Sequence, residues 1–179
     1  MTHHTRYTLP ANPVVPKLSQ ESEKRAKIVV ALQLRSTAMN DDPHDLQRFV
    51  DAQDPVYSSV RAELARGSKT SHWMWFVFPQ LKGLGRSETA RHFGIASAEE
   101  ALAYWLHPVL GPRLKECTEL MLAVEGKTAL QILGSPDELK YCSSMTLFER
   151  VAPEETAFGR AIEKYFGGRR DERTVELMS

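Results

Sequence analysis

Thr128-Ala129-Leu130-Gln131-Ile132-Leu133-Gly134-Ser135-Pro136-Asp137-Glu138 reads as one short helix ending where another begins. Threonine followed three residues later by glutamine has the spacing of a capping box, in which each side chain satisfies the other's backbone donor. Gly134 supplies the conformation at which helices stop, and Ser135 to Glu138 repeats the box spacing with a proline just inside the next helix. The same punctuation recurs on both sides. Ser97-Ala98-Glu99-Glu100 is a third box, and Gly126 and Gly167 mark further stops. Asp42-Pro43 and Asp54-Pro55 each put an acid ahead of a proline at a first helical position, with Asp45 adding a favourable charge near the first start. A helix is predicted from Asp54 to Arg66, with Val56, Val60 and Leu64 on its buried stripe and Gly67 after its end. Leu114, Cys117, Leu120, Met121 and Val124 form a second such stripe.

Extended segments are few. Only residues 73–78 and 91–95 carry a strand signal, so the expected fold is mainly α: a compact single-domain helical fold with at most a minor β element at those two places. Residues 1–18, with Pro10, Pro13 and Pro16, read as an extended arm, and 19–44 as an N-terminal extension carrying a helix over Lys24 to Ala38. The globular domain is expected over 45–177.

Composition narrows the function classes. A chain of 179 residues with 42% hydrophobic and 26% charged residues is sized for one soluble domain. Formal net charge is zero, which argues against a nucleic-acid or anionic-membrane partner. Between Arg61 and His92, however, six Lys/Arg face two acids. Cys117 and Cys142 have no metal-type spacing and no HxxxH or HxxE pattern accompanies them, so no metal and no cofactor is called for. No apolar run reaches the roughly 20 residues of a membrane span and no secretory-type leader opens the chain, so the expected setting is cytoplasmic, with both thiols reduced.

Chemistry concentrates in Lys69-Thr70-Ser71-His72-Trp73-Met74-Trp75-Phe76-Val77-Phe78-Pro79-Gln80 and in the loop down to Arg86-Ser87. Rings make platforms for flat ligands, and the Gly83-Leu84-Gly85-Arg86 loop has the composition of an anion cradle without the spacing of a P-loop. Core packing is the plainer account of Trp73, Phe76 and Phe78, less so of Trp75, and a plain connection accounts equally for the loop. A second dense string, Lys140 to Phe148, sets Ser143, Ser144 and Thr146 on a helix where hydroxyls are poor interior choices. They suit either tight packing or ligand contact. The catalytic candidates are His72, Ser143 and Ser144, provided the fold brings a base to a serine. The ligand-binding candidates are Lys69, His72, Trp75, Gln80, Arg86, Arg113, Lys140, Ser144 and Thr146. Arg113, near the start of a long helix, calls for an anionic partner, either a ligand or an acid such as Glu116.

These strings resemble a bacterial family catalogued as a domain of unknown function, number eighteen-ten. The resemblance rests on Asp45 to Gln53, Ser71 to Leu81, Gly83 to Ser87, His107 to Leu114, Lys140 to Phe148 and Lys164 to Gly168, and spans about Asp45 to Leu177. It implies a compact, mainly helical domain and no particular activity. Some members carry a calpastatin label; nothing in this chain resembles a repetitive disordered protease inhibitor.

Two functions follow from the residues. One is a pocket for an anionic, flat small molecule of the nucleotide or ADP-ribose kind, with hydrolysis at an N-glycosidic or phosphate centre as its chemistry. The other is a protein-interaction or homodimerisation module using residues 72–86, in a protein that is monomer or homodimer. Convergence of His72, Trp75, Arg86, Lys140 and Ser144 on one pocket would favour the first. An exposed apolar patch around 73–78 would favour the second.

Overall fold

A computed structural model describes residues 42–179, so the predicted arm and nearly all of the predicted extension lie outside the described residues. Ten helices follow in order: α1 Gln47–Gln53, α2 Tyr57–Ala65, α3 Met74–Val77, α4 Glu88–His92, α5 Ala98–Leu106, α6 Leu110–Ala123, α7 Ala129–Leu133, α8 Asp137–Val151, α9 Thr156–Phe166 and α10 Glu172–Leu177. The expectation of a mainly helical fold holds.

The capping chemistry explains most helix starts. Thr128 and Gln131 complete their box at α7, and Ser97 Oγ accepts from Glu100 N at 3.2 Å at α5. The box expected over Ser135 to Glu138 does not form, because Pro136 occupies the N-cap position of α8 and no side chain caps it. Asp42 does cap, accepting from Gln47 N at 2.9 Å, but a turn separates it from α1. The helix expected from Asp54 begins instead at Tyr57, and Asp54 is the C-cap of α1.

Residues 73–78 are helical rather than extended at their centre, where α3 runs one turn before Pro79 ends it. Over 91–95, Arg91 and His92 finish α4 and only Ile95 is extended, in a single parallel bridge to Leu81. Lys82 N donates to Ile95 O at 2.8 Å and Ile95 N to Gln80 O at 2.9 Å.

α8 is the hub. α3, α5, α7, α9 and α10 all pack on it, while α6 is flanked by α2, α3, α5 and α9. Tyr141, Ser143, Ser144, Met145, Thr146, Leu147 and Phe148 are all buried, so this helix is enclosed on most sides. The small hydroxyl residues let its neighbours approach closely and return their protons to the helix: Ser143 Oγ donates to Leu139 O at 3.1 Å and Thr146 Oγ1 to Cys142 O at 2.8 Å. At the α5–α6 junction Gly111 is required sterically, since a Cβ there would lie 1.9 Å from Trp105 O. His107 Nδ1 accepts from Val109 N at 3.2 Å and Leu110 N at 3.3 Å, so an imidazole caps α6.

Candidate functional site

The string Thr70-Ser71-His72-Trp73 wraps a buried carboxylate that sequence reasoning passed over. Glu63, on α2 and 5% exposed, accepts five hydrogen bonds: from Thr70 N and Oγ1, Ser71 N and Oγ, and Trp73 Nε1, over 2.6–3.2 Å. Burial alone would raise its pKa. The donors, Ser71 Oγ foremost, outweigh burial and hold it at about 2. Trp73, Met74, Val77 and Phe78 are thereby locked into the core, while Trp75 and Phe76 stay half-buried.

A second carboxylate ties the two odd strings together. Asp137, at the start of α8, holds Lys69 at 2.8 Å and Lys140 at 2.7 Å. Lys69 lies over the Trp73 ring at 5.3 Å and Lys140 over the Trp75 ring at 4.5 Å. The Asp137 carboxyl sits below its usual range because these lysines, Lys140 first, overcome the penalty of burial.

Beside this clamp opens a groove of about 860 Å³. The side of α8 that faces the groove contributes Leu139, Lys140, Cys142 and the largely buried Ser143, and the glycine loop contributes Gln80, Leu84 and Gly85. The segment from Phe166 to Arg173 forms the far wall. Its position follows from local contacts. Asp171 N donates to Thr146 Oγ1 at 3.0 Å, Cys142 Sγ approaches Arg169 O at 3.6 Å, and Arg170 pairs with Glu149 through two nitrogens at 2.6 and 2.7 Å. Arg173 Nη2 reaches Gly83 O at 3.4 Å and links that wall to the loop.

The charges divide into used and available. Lys140 is paired with Asp137, Arg170 with Glu149, and Asp171 caps α10 through Thr174 N and Oγ1. Arg169, Arg173 and the acid Glu172, all lining the groove, are exposed and form no ion pair with the described residues. Burial pushes the Cys142 thiol up to about 11, so it stays protonated at neutral pH and is a weak nucleophile.

Of the residues singled out in the sequence, Gln80, Lys140 and Ser143 line the groove. Trp75 adjoins it through a small crevice that Gln80 and Lys140 also border, and Lys69 is joined to it through Asp137. Thr146 is buried beneath it and fastens the far wall. Ser144 is 0% exposed, with a hydroxyl that has no partner among the described residues.

The structure does not bring the others in. His72 is exposed, outside the lining, and makes no hydrogen bond to either serine. Arg86 is exposed outside it too; its carbonyl accepts from Arg91, and Ser87 is spent on capping α4. Arg113 belongs to another network, paired with Asp54 at 2.8 Å and stacked over Tyr57 at 4.5 Å. Glu116, its expected partner, instead binds Tyr57 and Arg61. The glycine loop also differs from an anion cradle: Gly85 is needed for packing, since a Cβ there would lie 2.5 Å from Ala90 Cβ.

Sequence reasoning missed Phe166, Arg169, Arg170 and Arg173. Three arginines within five residues, directly after Gly167-Gly168, were the available signal. Asp171 and Glu172 between them gave the string the look of a neutral, solvated helix start.

A helical domain with an apolar-floored groove lined by charges of both signs, Lys140, Arg169, Arg170 and Arg173 beside Asp171 and Glu172, is the class that fold and geometry define. The chain belongs to the family described as protein of unknown function (DUF1810), whose model matches residues 43–178. A similar solved structure is the crystal structure of the conserved hypothetical protein Rv1873 from Mycobacterium tuberculosis. It is 56% identical, with a TM-score of 0.76 over 76% of this chain and 98% of that one. The chain matches no curated protein. Among the described residues no helix is long and apolar enough to cross a membrane, and no cluster of three or more His, Cys, Asp or Glu could hold a metal ion.

Proposed function

We propose that this protein binds an anionic, flat small molecule of the nucleotide or ADP-ribose kind in the groove between α8, the glycine loop and the Phe166–Arg173 segment. The observation that carries the reading is a groove of about 860 Å³ with two guanidiniums, Arg169 and Arg173, that have no ion-pair partner among the described residues. That volume lies within the range of small-molecule sites, about 300–1,000 Å³. Guanidiniums favour phosphate oxygens, which they grip through paired N–H donors. Leu84, Leu139 and Phe166 supply the apolar contact a flat body needs, and Leu139 is 60% exposed.

The role is binding, in a cytoplasmic setting with both cysteines free. Hydrolysis has less support. Ser143 Oγ donates to its own helix, no imidazole or carboxylate among the described residues lies within hydrogen-bond reach of it, and Ser144 is sealed from solvent. The interaction-module reading lacks its expected patch, because among the described residues the large exposed apolar side chains are Leu102, Leu106, Leu130, Leu139 and Leu177, none of them in 72–86.

A thermal-shift series with ADP, ADP-ribose and inorganic pyrophosphate tests the proposal. Stabilisation that Arg169→Ala with Arg173→Ala removes is expected. No shift with any of the three at millimolar concentration, or an undiminished shift in the double variant, overturns it.

A further inference from the structure

Asp137 holds two lysines with one charge. Its Oδ2 lies 2.8 Å from Lys69 Nζ and its Oδ1 2.7 Å from Lys140 Nζ, and neither lysine pairs with another acid among the described residues. One ammonium neutralises the carboxylate, so the other is a surplus cation. The two are not equivalent. The Lys69 side chain is 8% exposed, lies over the buried Trp73 ring, and its backbone N–H donates to Ile132 O at 2.8 Å, so it is fixed. The Lys140 side chain is 19% exposed and lines the groove, with its ammonium 4.5 Å from the centre of the half-buried Trp75 ring.

We infer that Lys140 is the exchangeable cation of the groove: a phosphate bound there takes its ammonium from Asp137 and draws it off the Trp75 ring. This rests on the groove binding a phosphate-bearing anion. The exchange strands no charge, because Asp137 keeps Lys69 when Lys140 leaves, and a buried carboxylate is costly only when left alone. The contact given up is a partly exposed ion pair of small worth, and a phosphate oxygen replaces it with a charge-assisted hydrogen bond. A lysine suits the task, since its flexible stem carries three rotatable donors. Arg170, which lines the same groove, does not: two of its nitrogens hold Glu149, and Glu149 has no second cation among the described residues. Lys140 thus joins Arg169 and Arg173 as a third cation against the unpaired Glu172.

Titration of the full chain with inorganic pyrophosphate and with ADP, followed by calorimetry and by tryptophan emission, tests this on the wild type, Lys140→Gln and Trp75→Phe. An ammonium leaving the face of an indole changes its emission, so pyrophosphate should give a saturable change in the wild type at the calorimetric affinity. That change should be absent from Trp75→Phe at saturation. Lys140→Gln is expected to bind pyrophosphate about tenfold more weakly, the size of one charge-assisted hydrogen bond, and to show no emission change when saturated. Pyrophosphate binding without an emission change that depends on Trp75, or a Lys140→Gln affinity within about twofold of wild type, overturns the inference and leaves the groove proposal intact. No binding of pyrophosphate by the wild type overturns the inference, and no binding of ADP either overturns the groove reading with it.

Discussion

Replacing Glu63 by glutamine removes a charge from beneath the aromatic run while preserving its shape. Oε2 accepts from Thr70 N, Ser71 N and Trp73 Nε1, none of which can turn away, whereas Oε1 accepts from two hydroxyls that can. The amide nitrogen of the introduced side chain therefore goes to the Oε1 side, and the three fixed donors keep a neutral acceptor in place of an ionised one. Held at about 2 against an ordinary 4.5, the carboxyl carries about 3 kcal/mol of stability at ~1.4 kcal/mol per pH unit, and screening near the rim reduces this to on the order of 2 kcal/mol. A depressed carboxyl stabilises the fold above its unfolded pKa, and that contribution is lost as pH falls from about 4.5 towards about 2. Urea unfolding at pH 7 and pH 3.5, followed by tryptophan fluorescence, should show Glu63→Gln about 2 kcal/mol less stable at pH 7 and closer to wild type at pH 3.5. A loss below about 0.5 kcal/mol at pH 7, or an unchanged gap between the two pH values, would refute the account of this clamp.

Three other outcomes follow from particular contacts. Gly111→Ala should cost about 3 kcal/mol, the upper end for overpacking, since its methyl would overlap Trp105 O, and equilibrium unfolding measures it; a near-neutral variant would mean α5 and α6 separate easily. Ser144→Ala should be neutral or slightly stabilising, because its buried hydroxyl has no partner among the described residues; a loss above about 1 kcal/mol would reveal a bond not accounted for. Burial holds His107 below its usual pKa and its Nδ1 accepts the α6 amides, so its contribution is present above about 6.5 and fades as pH falls below that. The melting temperature should therefore drop on acidification from pH 7.5 to 5.5, and less so in His107→Asn.

Helix starts and stops were legible because capping is local: Thr128 with Gln131, Ser97 with Glu100 and Gly167 after α9 each act within a few residues. Asp54 misled because its partner, Arg113, is distant in sequence, and a C-cap acid looks like an N-cap acid when a proline follows. The role of Glu63 was hidden for the same reason: a single acid on a helix reads as solvated until a later loop folds over it. Of the site, Gln80, Lys140 and Ser143 were legible as odd residues in odd strings. The cations of the far wall were not, because only the return of the chain after α9 carries Arg169 and Arg173 across α8 to face the glycine loop.

Backbone amide mapping by NMR on the full chain titrated with ADP tests the groove most directly. The account predicts saturable shifts grouped at Gln80 to Gly85, Leu139 to Ser143 and Phe166 to Arg173. No shifts, or shifts centred on His72, Arg86 and Arg113, would contradict it.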